Sequence, residues 1–167
     1  MAVLLVVHHS PTRSLQALTD AVLAGANDDA IEGVEVIARP ALEASADDVL
    51  AADGILLGTP ANFGYMSGAL KHFFDSTFLH IGGALGDDGS AGDDAGGGSG
   101  AQMPFGLYVH GRYDVTGAVR AVDAITGALP WKQAAATLEV LGDITEEHTD
   151  AAYELGGTLA ALLMDEG

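Results

Sequence analysis

Five short apolar runs separated by segments of helical period constrain this chain more than any other feature. Residues 2–7 are an unbroken run of Ala, Val and Leu, the pattern of a central strand covered on both faces. Residues 34–38, 55–57, 104–110 and 134–141 repeat the signal, and Gly58 and Pro60 are expected to end the third run. Between the runs the period changes. Leu15, Leu18 and Val22 mark a helix closing near Gly25, and Ser45 with Asp48 is a capping pair that opens a short second helix. Met66, Ala69, Leu70, Phe73, Phe74 and Phe78 predict a helix from near Ser67 with a broad aromatic face. Val119, Val122, Ile125 and Leu129 predict another, opened by Thr116 or Gly117 and stopped by Pro130, and residues 146–164 form the last.

Strict strand–helix alternation implies an α/β fold with a parallel sheet, because each crossover is right-handed and returns a strand parallel to its predecessor. With the amino-terminal strand central, the economical architecture is a doubly wound five-stranded parallel sheet, order 2-1-3-4-5, with helices on both faces. The order reverses between strands one and three, and ligands bind at such switch points. The turn at residues 10–14 and the loop at residues 59–65 therefore converge, flanked by the loop at residues 111–114.

A chain of 167 residues is expected to be a single domain over residues 1–167, large enough to bury its own core. Cysteine is absent, so thiol chemistry and iron–sulfur clusters are excluded and redox activity would require a bound cofactor. A net charge of -18 with only six Lys and Arg argues against nucleic acid and against an anionic membrane. It is compatible with a basic redox protein as partner, with solubility at high salt, or with biased codon usage. No apolar run approaches bilayer length, and the expected location is cytoplasmic. Residues 82–102 are rich in Gly and Asp and read as a flexible insertion; the carboxylates there lack the spacing of a Ca²⁺ loop.

The first turn, His8-His9-Ser10-Pro11-Thr12-Arg13-Ser14, joins a strand to a helix. It combines the unsatisfied N–H groups of a helix start with three hydroxyls and the Arg13 charge. No carboxylate lies between residues 2 and 19 in this otherwise acidic chain, which leaves the turn open to a phosphate. Helix capping alone also accounts for the hydroxyls. The six histidines form no metal-binding spacing, and His110, at a strand end, is the one placed for a role at the switch point.

Alternatives with this fold are missing their residues. A phosphoacceptor receiver needs acids after strand one and an Asp ending strand three, where His8-His9 and Gly58-Thr59 stand. A dinucleotide-binding turn, Gly-x-Gly-x-x-Gly, is absent. The stretch Gly58-Thr59-Pro60-x-Asn62-Phe63-Gly64-x-Met66-x-Gly68-x-Leu70-Lys71-x-Phe73-x-Asp75, in contrast, resembles the flavin-binding loop and following helix of the flavodoxin-like superfamily. Within it, the likeness is to NAD(P)H-dependent FMN reductases and the tryptophan-repressor-binding type of quinone reductase, and to flavodoxin-family proteins of actinobacteria.

The resemblance implies FMN as cofactor, its phosphate on Ser10, Thr12, Arg13 and Ser14. It places Thr59, Pro60, Ala61, Asn62, Phe63 and Gly64 at the isoalloxazine edge, and His110, Gly111 and Tyr113 near the ring. NAD(P)H is the implied reductant and a quinone or other small molecule the electron acceptor, with an acidic electron-carrying flavodoxin as the alternative. Two departures stand out: Arg13 occupies a position where many flavodoxins have Gly, and the helical insertion through which the quinone reductases tetramerise is missing. A homodimer is the assembly compatible with the family.

Overall fold

The computed structural model describes residues 1–90 and 102–164. Most of the expected insertion, residues 91–101, lies outside them. Its beginning closes a turn in which the Gly86 N–H donates to the Ser90 carbonyl at 2.8 Å.

The chain runs β1 (Ala2–His8), α1 (Arg13–Ala26), β2 (Val34–Pro40), α2 (Ala46–Leu50), β3 (Gly54–Asn62), β4 (Tyr65–Met66), α3 (Gly68–Thr77), β5 (Met103–Gly111), α4 (Thr116–Thr126), β6 (Trp131–Gln133), β7 (Leu138–Leu141) and α5 (Glu146–Ala161). β2, β1, β3 and β5 pair side by side and in parallel, and β6 and β7 both pair with the far edge of β5. The expected order 2-1-3-4-5 holds, with β5 as the fourth strand and β6 and β7 as the fifth.

Side chains alternate across this sheet with the period of two that a strand imposes. Leu5, Val7, Ile55, Leu57, Phe105, Leu107 and Val109 point to one face, where Phe73 and Phe74 of α3 and Val122 of α4 cover them. Leu4, Val6, Leu56 and Tyr108 point to the other, under Leu15, Leu18 and Val22 of α1 and Leu155 and Leu159 of α5. Sidedness thus follows from the alternation of apolar residues in strands apolar throughout.

Two expectations are corrected. Gly58 and Pro60 do not end the third strand, which continues to Asn62. Gly58 is required inside it because a Cβ there would lie 2.2 Å from the Tyr108 ring. Pro60 is tolerated because β1 ends at His8, level with Gly58, and leaves that edge without a ladder to break. The fifth strand, expected over residues 134–141, is split. β6 begins earlier, at Trp131, and a bulge follows it in which the Gln133 amide donates to the Ala135 carbonyl and to Thr137 Oγ1.

Helix boundaries follow their caps. Thr12 Oγ1 accepts the Leu15 N–H, so Thr12 and not Ser14 caps α1. Ser45 and Asp48 form the expected capping box on α2, and Ser67 caps α3. The helices α1 and α5 approach through glycine: a Cβ on Gly25 would lie 1.9 Å from the Tyr153 carbonyl oxygen, and one on Gly156 1.9 Å from that of Val22. Gly157, one residue on, has its nearest such contact at 3.4 Å.

These distances separate two substitutions of the same chemistry. Gly156→Ala is expected to lower stability by roughly 1–3 kcal/mol through backbone displacement. Gly157→Ala is expected to raise it by about 0.5–1 kcal/mol, the ordinary gain for a helix interior. Urea unfolding of both variants checks this, and coincident midpoints would contradict the close approach of α1 and α5.

Candidate functional site

The carboxyl ends of β1 and β3 are tied together where the first turn begins, by the His9 N–H donating to the Gly58 carbonyl at 3.0 Å. From there the chain enters α1, whose first turn carries no acid. The Arg13 and Ser14 N–H groups precede the first intrahelical bond and have no helical acceptor. Thr12 and Arg13 are exposed and Ser14 is half-buried. Thr12 Oγ1 accepts from Leu15, which leaves its hydroxyl proton for a ligand. Ser10 is held differently: its Oγ lies 2.8 Å from Thr19 Oγ1 and 2.9 Å from His8 Nδ1.

The second segment is a hairpin rather than a loop. Ala61 pairs with Met66 and Asn62 with Tyr65, so Phe63 and Gly64 form the two-residue turn. Both have positive φ, 50° for Phe63 and 80° for Gly64, as a tight hairpin of this hand requires. Gly64 adopts this without strain, whereas a phenylalanine there is an outlier. The turn presents the Phe63 ring fully to solvent. Beneath it, buried Thr59 accepts the Ser67 N–H at 3.0 Å and donates to the Pro60 carbonyl, anchoring the hairpin to the start of α3.

A third segment faces the hairpin. Gly111 ends β5, and Tyr113 follows, 91% exposed. Asp114 Oδ1 accepts the Thr116 N–H and opens α4. A Cβ on Gly117 would lie 2.1 Å from the Gly64 carbonyl oxygen, so the first turn of α4 sits against the hairpin turn only because residue 117 is glycine. Between the two segments is a cleft of about 410 Å³ lined by Ala61, Asn62, Phe63, Gly64, Arg112, Tyr113 and Asp114.

The structure therefore brings Ala61, Asn62, Phe63, Gly64 and Tyr113 into one cleft. Thr59 and Pro60 are buried beneath the hairpin and support it. Gly111 is buried behind the cleft, where a Cβ would crowd Ala61 at 3.0 Å. His110 does not line it: its Nε2–H donates to the Gly142 carbonyl at 2.7 Å and fastens the loop after β7. Arg112 and Asp114 join the lining from the segment expected to flank it. Arg112 is also paired with Asp143 at 3.0 Å, an exposed bridge. Among the described residues no group of His, Asp and Glu is arranged to hold a metal, and no helix is long and apolar enough to cross a membrane.

Comparison with known proteins bears on the fold and the family. The chain is 34% identical over 85 residues to a flavodoxin of Aquifex aeolicus, a match covering 51% of this chain and 45% of that relative. The chain thus matches under half the length of that curated relative. A flavodoxin from the domain Archaea superposes with a TM-score of 0.73 at 15% identity, over 96% of this chain and 98% of that one. The flavodiiron core of Flv1 from Synechocystis gives the same TM-score and identity over 97% of this chain, which corresponds to 36% of that protein. At such identities these structures establish the fold. Residues 12–95, half of the chain and including the end of the first turn, the hairpin and α3, match the model of the NADPH-dependent FMN reductases, and the chain belongs to that family.

Proposed function

We propose that this protein binds FMN at the carboxyl edge of its sheet, takes hydride from NAD(P)H and delivers electrons to a quinone or another small acceptor. The carrying observation is Phe63, an apolar ring displayed to solvent from a backbone conformation that disfavours it. Strain of this kind persists where a site uses it. An unpartnered ring opposite an exposed Tyr113, across a cleft of about 410 Å³, suits a flat aromatic ligand.

The donor set fits the other end of FMN. Thr12, Ser14 and the free N–H groups of α1 would hold the phosphate, with Arg13 adding charge and no acid in the first turn opposing it. Ala61 and Asn62 present backbone and amide groups to the ring edge, and Gly64 allows close approach. When bound, FMN supplies acceptance of a hydride and its release as electrons. The protein's part is to place the ring in the cleft against Phe63 and Tyr113, hold the phosphate and leave the part of the ring that these two side chains do not cover open to nicotinamide and acceptor in turn. A second reading, an electron carrier docking on a basic redox protein, is favoured by the net charge of -18, which steers encounters with basic surfaces.

FMN-loaded protein mixed anaerobically with NADPH or NADH is expected to lose its visible flavin band. If neither nicotinamide bleaches fully bound FMN, the reductase reading fails and the carrier reading replaces it. Phe63→Ala and Tyr113→Ala are each expected to weaken FMN binding roughly three- to tenfold, for loss of a stacking contact worth about 0.7–1.4 kcal/mol. Neither should shift the urea midpoint, since neither side chain is buried. Flavin-fluorescence titration measures the binding. By the same titration Gly117→Ala, which collides with the Gly64 carbonyl without touching the ligand, is expected to weaken FMN at least as much; unchanged affinity would show that the hairpin turn does not position the ring.

A further inference from the structure

A chain of hydroxyls runs from the first turn into the centre of the molecule. Tyr108 on β5 is fully buried, and its hydroxyl lies 2.7 Å from Thr19 Oγ1 on α1. Thr19 Oγ1 lies 2.8 Å from Ser10 Oγ, and Ser10 Oγ 2.9 Å from His8 Nδ1. Proton positions follow from the buried end. A phenol O–H in the core that points at no acceptor is costly, so Tyr108 donates to Thr19. Thr19 then donates to Ser10, and Ser10 is left to donate to the bare Nδ1 of neutral His8. The Ser10 proton is thereby turned away from the turn.

A phosphate at that turn calls for donors. Ser10 can donate to it only when His8 Nδ1 carries a proton and becomes the donor of the pair. The neutral Nδ1–H tautomer would satisfy that geometry. The imidazolium satisfies it and also brings positive charge to a dianion, in a chain of net charge -18 whose only Lys or Arg before Arg39 is Arg13.

We propose that Tyr108, Thr19 and His8 are positioning residues for a phosphate group at the β1–α1 turn, and that binding takes up one solvent proton on His8 Nδ1, reversing the His8–Ser10 hydrogen bond and freeing the Ser10 hydroxyl for the ligand. This rests on the FMN reading above. The charges acting on His8 are few. Burial first, then His9 beside it, hold its imidazole below the ordinary range, and Asp20 on α1 opposes them. The positions paired with His8 on β2 and β3 are Pro40 and Gly58, which do not titrate. Without ligand, His8 is therefore mostly neutral at neutral pH, and an adjacent phosphate raises its pKa. The sign follows by linkage: the contribution of His8 to phosphate affinity is greatest at low pH and falls as pH rises from the free to the bound pKa of His8, by up to about tenfold per unit.

The test compares FMN with riboflavin, which lacks the phosphate, in fluorescence titrations from about pH 5 to about pH 8. Wild type is set against His8→Asn, whose amide offers a non-titrating N–H to Ser10. The phosphate of FMN titrates equally in both experiments, so the difference isolates His8. The FMN-to-riboflavin affinity ratio is expected to fall at least about fivefold more across this range in wild type than in the variant. NMR of the His8 ring in the wild-type protein is expected to show the Nε2–H tautomer without ligand and a higher pKa with inorganic phosphate. Equal pH dependence in both proteins, with FMN bound, would overturn this inference and leave the proposed function standing. Absence of FMN binding at every pH, with a His8 titration unmoved by phosphate, would overturn both. Should His8→Asn not fold, the wild-type NMR titration decides alone.

Discussion

The handedness of the crossovers is the constraint on which the rest of the structure depends. A right-handed connection through α1 carries the chain from the central β1 to β2 on one side. The next, through α2, must return it past β1 to β3 on the other. The chains leaving β1 and β3 therefore diverge to opposite faces and open a crevice at their carboxyl ends. The turn before α1 and the hairpin after β3 leave the sheet at that edge, and Arg112 to Asp114 face the hairpin across the cleft because β5 is the next strand outward.

Close packing at the same edge depends on two glycines that leave room for their neighbours. Gly58 makes room for the Tyr108 phenol, which reaches Thr19 on α1 and joins the sheet to the helix that begins at the turn. Gly117 makes room for the Gly64 carbonyl and joins α4 to the hairpin. With Thr59 anchoring Ser67, both aromatic walls of the cleft stand on buried supports while their rings face water. Rigid support beneath an exposed, partly strained surface is the arrangement of a preorganised site.

The alternation of runs made the fold legible in the sequence, since period two and period 3.6 are local signals. The capping pair Ser45–Asp48 and a helix start near Ser67 were readable because these signals are local too. The course of β3 was not, because Gly58 and Pro60 are breakers in isolation and their tolerance depends on Tyr108 and on where β1 stops. Similarly, the hairpin at Phe63 lacks the usual Asn-Gly or Asp-Gly signal, and it formed around a phenylalanine. His110 looked free at a strand end, yet its partner carbonyl lies 32 residues away; Ser10 looked free in its turn, yet its orientation is set through a tyrosine 89 residues from Thr19. Long-range hydrogen bonds leave no periodic trace, so Ala61 to Gly64 and Tyr113 were legible as neighbours at one edge and these engagements were not.

The proposal that matters most is FMN in the cleft, with its ring between the hairpin and the third loop. A crystal structure grown with FMN decides it. Density is expected for the isoalloxazine against Phe63 and Tyr113 and for the phosphate at the start of α1. FMN lodged elsewhere on the molecule, or bound with Phe63 and Tyr113 still free of contact, would contradict it.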